Sequence, residues 1–338
     1  MNLRRSFFWF ASAALTVFLV FLLIKISKLD LHVTVQQLRS VSWVSFTKLV
    51  LLTAVHVYLS SLKWRRVDAS LRRSSDSAPS TTMSFALTST GVALGQILPV
   101  QVSMSAARTL GTYFHGRALK RGTGGTLFEQ AFDVLIVGFL VIASGITRFY
   151  RGGGMMWMVS AFAMTGFALL AVGPVVELIR RQVISLNAKA VAPRNRILKS
   201  IAGLQQSGLL NPGLARQLMG LSAARFVIQV LMAGETAEAI GVHIPLWHLA
   251  AAMPFVIIAC VIIVTPGGLG VNELSYATTL HLFGTPLNVG AQWALANRVL
   301  VASSCFVVAA CALALLGLTK TRTGIKPANK QAAVMQED

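Results

Sequence analysis

The chain has 338 residues, 55% of them apolar and only 12% charged, with a mean hydropathy of +0.68, whereas soluble domains carry about 25% charged residues. Its net charge of +19 would suit a nucleic-acid binder, but the basic residues cluster in short loops between long apolar runs, the positive-inside pattern of an inner membrane protein. Composition therefore excludes a soluble globular domain and argues against a nucleic-acid partner; it points to an all-α polytopic bundle of about eight membrane elements.

The first apolar run covers residues 7–26 behind Arg4 and Arg5. It is long for a signal peptide, and Lys25-Ile26-Ser27-Lys28 offers no small-residue cleavage site, so a retained first span is expected. A mixed-charge loop with Lys28, Asp30 and Arg39 leads to a second span at 45–62, which ends in Lys63-Trp64-Arg65-Arg66. Trp64 there reads as an interface anchor, and the stretch to Ser80 as an irregular basic loop.

A third apolar stretch starts near Thr82 and stops at Leu98-Pro99, too short for a comfortable span. A second helical piece, 103–114, carries Arg108 and leads to the basic 117–124 segment. The next span, 126–146, carries Glu129 and Asp133, whose spacing of four puts both carboxylates on one helix face. A fifth element is expected at 155–179, then a polar, basic segment over 180–213 whose middle, 197–210, suits an amphipathic surface helix.

The span at 214–240 contains Arg225, and a further apolar piece, 246–265, runs into Thr265-Pro266-Gly267-Gly268-Leu269-Gly270-Val271-Asn272-Glu273. Pro266 removes the N–H a continuing helix needs, and three glycines in four residues free the backbone. Backbone broken at membrane depth is tolerated only where protein or water satisfies it. A piece at 272–283 and a last long span at 289–318, containing Arg298, complete the bundle. The expected organisation is one transmembrane domain over 1–320 and a short polar cytoplasmic tail over 321–338.

Charge counting orders these pieces. If Pro99 and Pro266 each mark the tip of a helical hairpin that returns to the side it came from, the cytoplasmic regions hold 20 Lys and Arg against five outside. The two hairpins then enter from opposite sides, with both termini cytoplasmic. Broken elements in corresponding positions of two halves point to a transporter-type site near the midplane.

The ionisable residues within the apolar runs are Arg108, Glu129, Asp133, Arg225, Glu273 and Arg298. At a helix centre each costs about 2.5–3.5 kcal/mol to insert, so they face one another or a wet cavity. One reading is purely structural: three arginines and three acids pair off and lock the bundle. The other is a cavity for an anionic amphipathic lipid. There Arg108 and Arg298 present planar forks to phosphate, while Glu129, Asp133 and Glu273 orient them or carry protons. The helix that starts near Asn272 aims its N–H groups into the same space. Gly267, Gly268 and Gly270 admit a headgroup closely, with Pro99 and Pro266 as hinges.

Enzyme templates fit poorly. There is no HExxH or GxSxG, and Gly122-Thr123-Gly124-Gly125 lacks the Lys-Ser/Thr of a phosphate loop. Cys260, Cys305 and Cys311 lie in apolar runs without metal-ligand spacing, and the six histidines are scattered. No metal, cofactor or catalytic residue is expected, and any transport would be passive or ion-coupled.

At these residues the sequence resembles the lysylphosphatidylglycerol synthetase transmembrane-region, or flippase-like, family of membrane proteins. Gly95-Gln96-Ile97-Leu98-Pro99 followed by Arg108 is similar to the family's G-x-x-x-P…GGD-x-x-R segment. Glu129-Gln130-Ala131-Phe132-Asp133 is similar to its E-R-x-x-D, and Pro266 to Glu273 to its P-x-x-x-GGLGxRE region. Arg298 falls where a late-span arginine is expected. The GGD is replaced by the neighbourhood of Val102-Ser103-Met104-Ser105, and Gln130 and Asn272 stand where the pattern has arginines.

The resemblance implies a membrane-embedded lipid-handling module. It implies binding and translocation of an anionic lipid, such as an aminoacyl-phospholipid, a polyprenyl-phosphate sugar or a related glycolipid. No soluble aminoacyl-transfer domain follows the last span, so synthase activity is not expected. Two alternatives stand beside this expectation. One is a non-transporting accessory subunit that holds a glycosyltransferase or lipid synthase at the membrane. The other is an ion-coupled small-solute transporter.

Overall fold

The computed structural model describes residues 3–28, 30–71, 79–113, 119–150, 153–189, 208–262 and 265–322. Among them are eleven α-helices and no strand: α1 (Leu3–Ser27), α2 (Leu31–Arg39), α3 (Trp43–Leu71), α4 (Thr81–Leu94), α5 (Val100–Tyr113), α6 (Leu119–Phe149), α7 (Gly154–Lys189), α8 (Pro212–Ala239), α9 (Leu246–Ile262), α10 (Val271–Leu282) and α11 (Leu287–Arg322). Five of these, α3, α6, α7, α8 and α11, are long and apolar enough to cross a membrane. Their outward faces carry exposed apolar side chains such as Leu51, Phe162 and Leu170, as a lipid-facing surface requires.

Local chemistry sets the helix starts. Asp30 accepts from the backbone N–H of His32 and Val33 at the head of α2, Ser80 accepts from Met83 N, and Asn211 accepts from Gly213 N just ahead of Pro212. The mixed-charge loop expected after the first span thus contains a short helix. Helix α3 runs nine residues past Leu62, because Lys63 and Trp64 turn inward instead of ending the span. Helix α6 starts at Leu119, inside the segment that reads as a basic loop. The surface helix expected over 197–210 falls largely outside the described residues, as does the tail from 323 onward.

Helix α3 is the centre of the bundle and packs on α4, α6, α8 and α11. Small residues let the later helices close tightly: Ala251, Ala252, Ala277, Ala291 and Ala296 are fully buried along α9, α10 and α11. Larger side chains fill what remains. Trp293 is fully buried and donates its indole N–H to Ala233 O of α8 at 3.2 Å.

Two contacts fix the relative direction of α3 and α8. Lys48 near the start of α3 lies 3.6 Å from Glu235 near the end of α8, and Arg66 near the end of α3 donates to Gln217 near the start of α8 at 3.0 Å. The two helices are therefore antiparallel. The α4–α5 hairpin follows from the C-terminal end of α3, and the α9–α10 hairpin from the C-terminal end of α8, so the hairpins enter the bundle from opposite ends.

Their tips meet. The first breaks at residues 95–99, and Gly91 lets its arms close, since a Cβ there would lie 3.1 Å from Met104 Cα. The second breaks at the 3₁₀ turn Pro266–Gly268, where Gly267 adopts φ +59°. A Cβ on Gly267 would sit 2.2 Å from Gln96 O of the other tip and 2.6 Å from Arg298 Nη2. Gly267→Ala is therefore expected to separate the tips. Left-handed strain alone costs of order 1–3 kcal/mol, so the detergent-solubilised variant should melt several degrees below wild type in a thermal unfolding scan.

Candidate functional site

Buried charge gathers in two groups. In the first, α6 presents Glu129 and Asp133 from one face, as their spacing requires. Glu129 Oε2 accepts from Arg108 Nη1 of α5 at 2.5 Å, with both side chains buried. The other end of the same guanidinium donates to Ser60 Oγ at 3.1 Å and Ser60 O at 3.3 Å, and its carbon lies 5.4 Å from the centre of the Trp64 ring. Asp133 takes two cations at once, Lys63 Nζ at 2.6 Å on one oxygen and Arg225 Nη1 at 2.5 Å on the other.

Arg225 also reaches back to α3, where Nη2 lies 3.3 Å from His56 Nε2. A guanidinium only donates, so Nε2 is the acceptor and the neutral ring carries its proton on Nδ1. This network joins α3, α5, α6 and α8. Three cations face two carboxylates, leaving one positive charge in excess.

The second group stands at the hairpin tips. Arg298 of α11 donates through Nη2 to Gln96 O at 2.6 Å, and its Nε lies 3.9 Å from Glu273 Oε1. Glu273 turns its other oxygen back onto the start of its own helix and accepts from Gly270 N at 2.6 Å. The positive end of α10, expected to face a substrate, is thus engaged first by the chain's own carboxylate.

Between these groups lies a cavity of about 330 Å³, at the lower end of the roughly 300–1,000 Å³ typical of small-ligand sites. Both tips form its wall, with Gln96 and Pro99 from the first and Thr265, Gly267, Gly268 and Asn272 from the second. Arg298 and Asn297 line it from α11, and Thr53 and His56 from α3. An apolar side is made by Met253, Val256, Ile257 and Val261 of α9.

The expected site residues are therefore divided. Arg298, Asn272, Gly267, Gly268 and Pro99 share the cavity with His56, which is not among them, whereas Arg108, Glu129 and Asp133 do not line it. Pro266 and Glu273 stand directly behind its wall. Gly270 faces away toward α1, where a Cβ would meet Leu19 at 2.7 Å. Lys63 reads in the sequence as part of a basic loop, yet it is fully buried. The signal for it is a polar stripe at helical spacing, Thr53, His56, Ser60 and Lys63, on one face of α3. Asn297 and Gln96 carry no such signal, since Asn297 contributes from a single helix position and Gln96 from the break after α4.

The fold and this constellation define a multi-pass helical membrane protein with opposed broken hairpins and ionisable groups held at membrane depth. The family model for the lysylphosphatidylglycerol synthase TM region matches residues 9–310. The chain belongs to that family, and so to a lipid-related, flippase-like class of membrane proteins. No curated protein and no solved structure matched it.

The geometry ranks the acids. Asp133→Ala strips the partner from the fully buried Lys63 and the part-buried Arg225, and breaking a buried pair costs about 3–5 kcal/mol. The variant should lose most of its folded yield in a detergent-extraction and thermal-melt assay. Lys63→Met, which leaves Asp133 paired with Arg225, should be much milder.

Proposed function

We propose that the protein binds the phosphate-bearing headgroup of an anionic amphipathic lipid between its two hairpin tips and carries it from one leaflet to the other. The observation that carries this reading is Arg298. One nitrogen of its fork holds the Gln96 carbonyl and its Nε lies 3.9 Å from Glu273 Oε1, while the side chain stays partly exposed on the cavity wall. A guanidinium placed this way is fitted to a phosphate oxygen.

The apolar wall supports the amphipathic half of the ligand. Ile257 and Val261 continue along α9 to Ile262, which is exposed on the bundle surface, so acyl or prenyl chains have an apolar path into the bilayer. In this reading Arg108, Glu129, Lys63, Asp133 and Arg225 form the frame that holds α3, α5, α6 and α8 in register. The hairpin tips are the moving parts, because each is a short turn that interrupts a helix, at Pro99 in the first and at Pro266 with Gly267 and Gly268 at positive φ in the second. No bond is made or broken in the lipid.

Charge asymmetry supports an inner-membrane orientation with both termini in the cytoplasm. After Lys63 is moved from its loop into the bundle, 19 basic residues remain on the inside against five outside.

Reconstitution tests the proposal. Purified protein in liposomes with fluorescent phosphatidylglycerol should make outer-leaflet label exchange with the inner leaflet, read by dithionite quenching. Losing a charge-assisted contact of about 1.5–3 kcal/mol should slow Arg298→Gln by roughly tenfold or more. If wild-type protein moves neither this lipid nor a labelled polyprenyl-phosphate sugar, the translocation reading fails.

A further inference from the structure

The charges at membrane depth do not cancel. Among the described residues, the cations Lys63, Arg108, Arg225 and Arg298 stand against the carboxylates Glu129, Asp133 and Glu273. Arg108 answers Glu129, and Arg298 stands beside Glu273. The imbalance therefore falls on Asp133, which takes Lys63 at 2.6 Å and Arg225 at 2.5 Å. A surplus charge in a low-dielectric interior is costly unless something cancels it.

Of these cations only Lys63 can remove the surplus itself. A guanidinium keeps its proton, whereas a lysine ammonium can release one. Once Lys63 has done so, each arginine is matched by one carboxylate and the interior is neutral. The amine keeps its place, since it still donates to Asp133 Oδ1 at 2.6 Å and to Glu129 O at 3.3 Å. The route out is short. The ammonium passes its proton along the hydrogen bond to Asp133 Oδ1, and the carboxylic acid so formed releases it to water, which restores the carboxylate. Asp133 suits this handover, because its side chain is 28% exposed while that of Lys63 is sealed. The ionisable groups around Lys63 are Glu129 and Asp133 on α6, Arg225 on α8, Arg108 on α5 behind Glu129, and His56 on its own helix. Helix α4 carries none, and Arg298 and Cys305 of α11 line the cavity instead.

The network also reaches the cavity. Arg225 donates to His56 Nε2 at 3.3 Å, and His56 lines the same cavity as Arg298. Two states of occupancy leave the whole interior neutral. One is empty, with Lys63 deprotonated. The other holds a monoanion in the cavity, with Lys63 protonated. A proton without the anion, or an anion without the proton, leaves one charge uncancelled.

Resting on the lipid-transport reading above, we infer that the protein is a proton–anion symporter, in which Lys63 takes up one proton for each monoanionic headgroup the cavity binds. Asp133 loads and unloads that proton. The charge count thereby assigns an energy source to the movement, the proton gradient across the membrane.

The test uses the full-length protein in liposomes with a trace of fluorescent phosphatidylglycerol, or of a labelled polyprenyl-phosphate sugar, under an imposed pH gradient. One pH unit is worth a factor of about ten per proton, so the label should collect in the leaflet facing the alkaline compartment at up to about tenfold over the other. Reversing the gradient should reverse the ratio, and a protonophore should return it to equality. Lys63→Met leaves Asp133 paired with Arg225 but has no proton to exchange, so its label should divide equally whatever the gradient. Lys63→Arg keeps the charge without the releasable proton and should also leave the label equally divided, which separates the proton from the charge. Thermal melts check that each variant is folded, and Lys63→Met decides alone if the bulkier arginine does not fit.

Wild-type protein that exchanges label between leaflets but leaves it equally divided under the gradient overturns the inference while the transport reading stands. A folded Lys63→Met protein that still concentrates the label overturns it as well. If wild type exchanges neither label, the transport reading falls and takes the symport with it, a result distinct from the other two.

Discussion

The structure depends on how it satisfies backbone that is broken inside a membrane. Two hairpins stop short at Pro99 and Pro266, and a carbonyl freed at such a stop has no water to turn to. Gln96 O is answered by the guanidinium of Arg298, and Gly267 of the opposite tip fits against the same carbonyl only because it lacks a Cβ. One cation thereby ties α11 to the first tip, while the shape of one glycine admits the second. A cavity remains where the tips do not fill the space between α3 and α11. Its position follows from the breaks, and Arg298, which lines it, is the residue that mends one of them.

The network around Glu129 and Asp133 solves a different problem. Buried ion pairs are poor sources of net stability, since desolvation offsets most of their attraction, but a wrong partner leaves a naked charge in an apolar interior. Each carboxylate is met by a cation from another helix, so α3, α5, α6 and α8 fit together in one register only. Arg108 illustrates the consequence. It has the chemistry of a phosphate ligand, but Glu129, Ser60 and Trp64 surround it, and it is sealed from the cavity. Arg298 has a longer, looser contact with its carboxylate and keeps access to the cavity.

This division gives the proposed activity a mechanical basis. The charge network binds the long helices, whereas the tips are short turns that meet through a carbonyl, a glycine and one guanidinium. Movement at the tips therefore leaves the frame intact. His56 borders both regions, since its ring lines the cavity and its Nε2 accepts from Arg225. It transmits the orientation of the frame to a group on the cavity wall.

The sequence by itself determined the environment and the points of interruption. Hydropathy and basic loops require a membrane bundle, and Pro99, Pro266 and the glycines after it require broken helices, because these are properties of consecutive residues along one helix. The shared face of Glu129 and Asp133 is legible for the same reason. What the tertiary structure decided is partnership. Lys63 reads as the end of a span beside Arg65 and Arg66, and only the approach of α6 draws it inside to Asp133. Asn297 and Gln96 acquire meaning only when α11 and the first tip face a common cavity. Spacing in sequence measures distance along a helix, while a binding site is built from distances between helices, and those are set by packing.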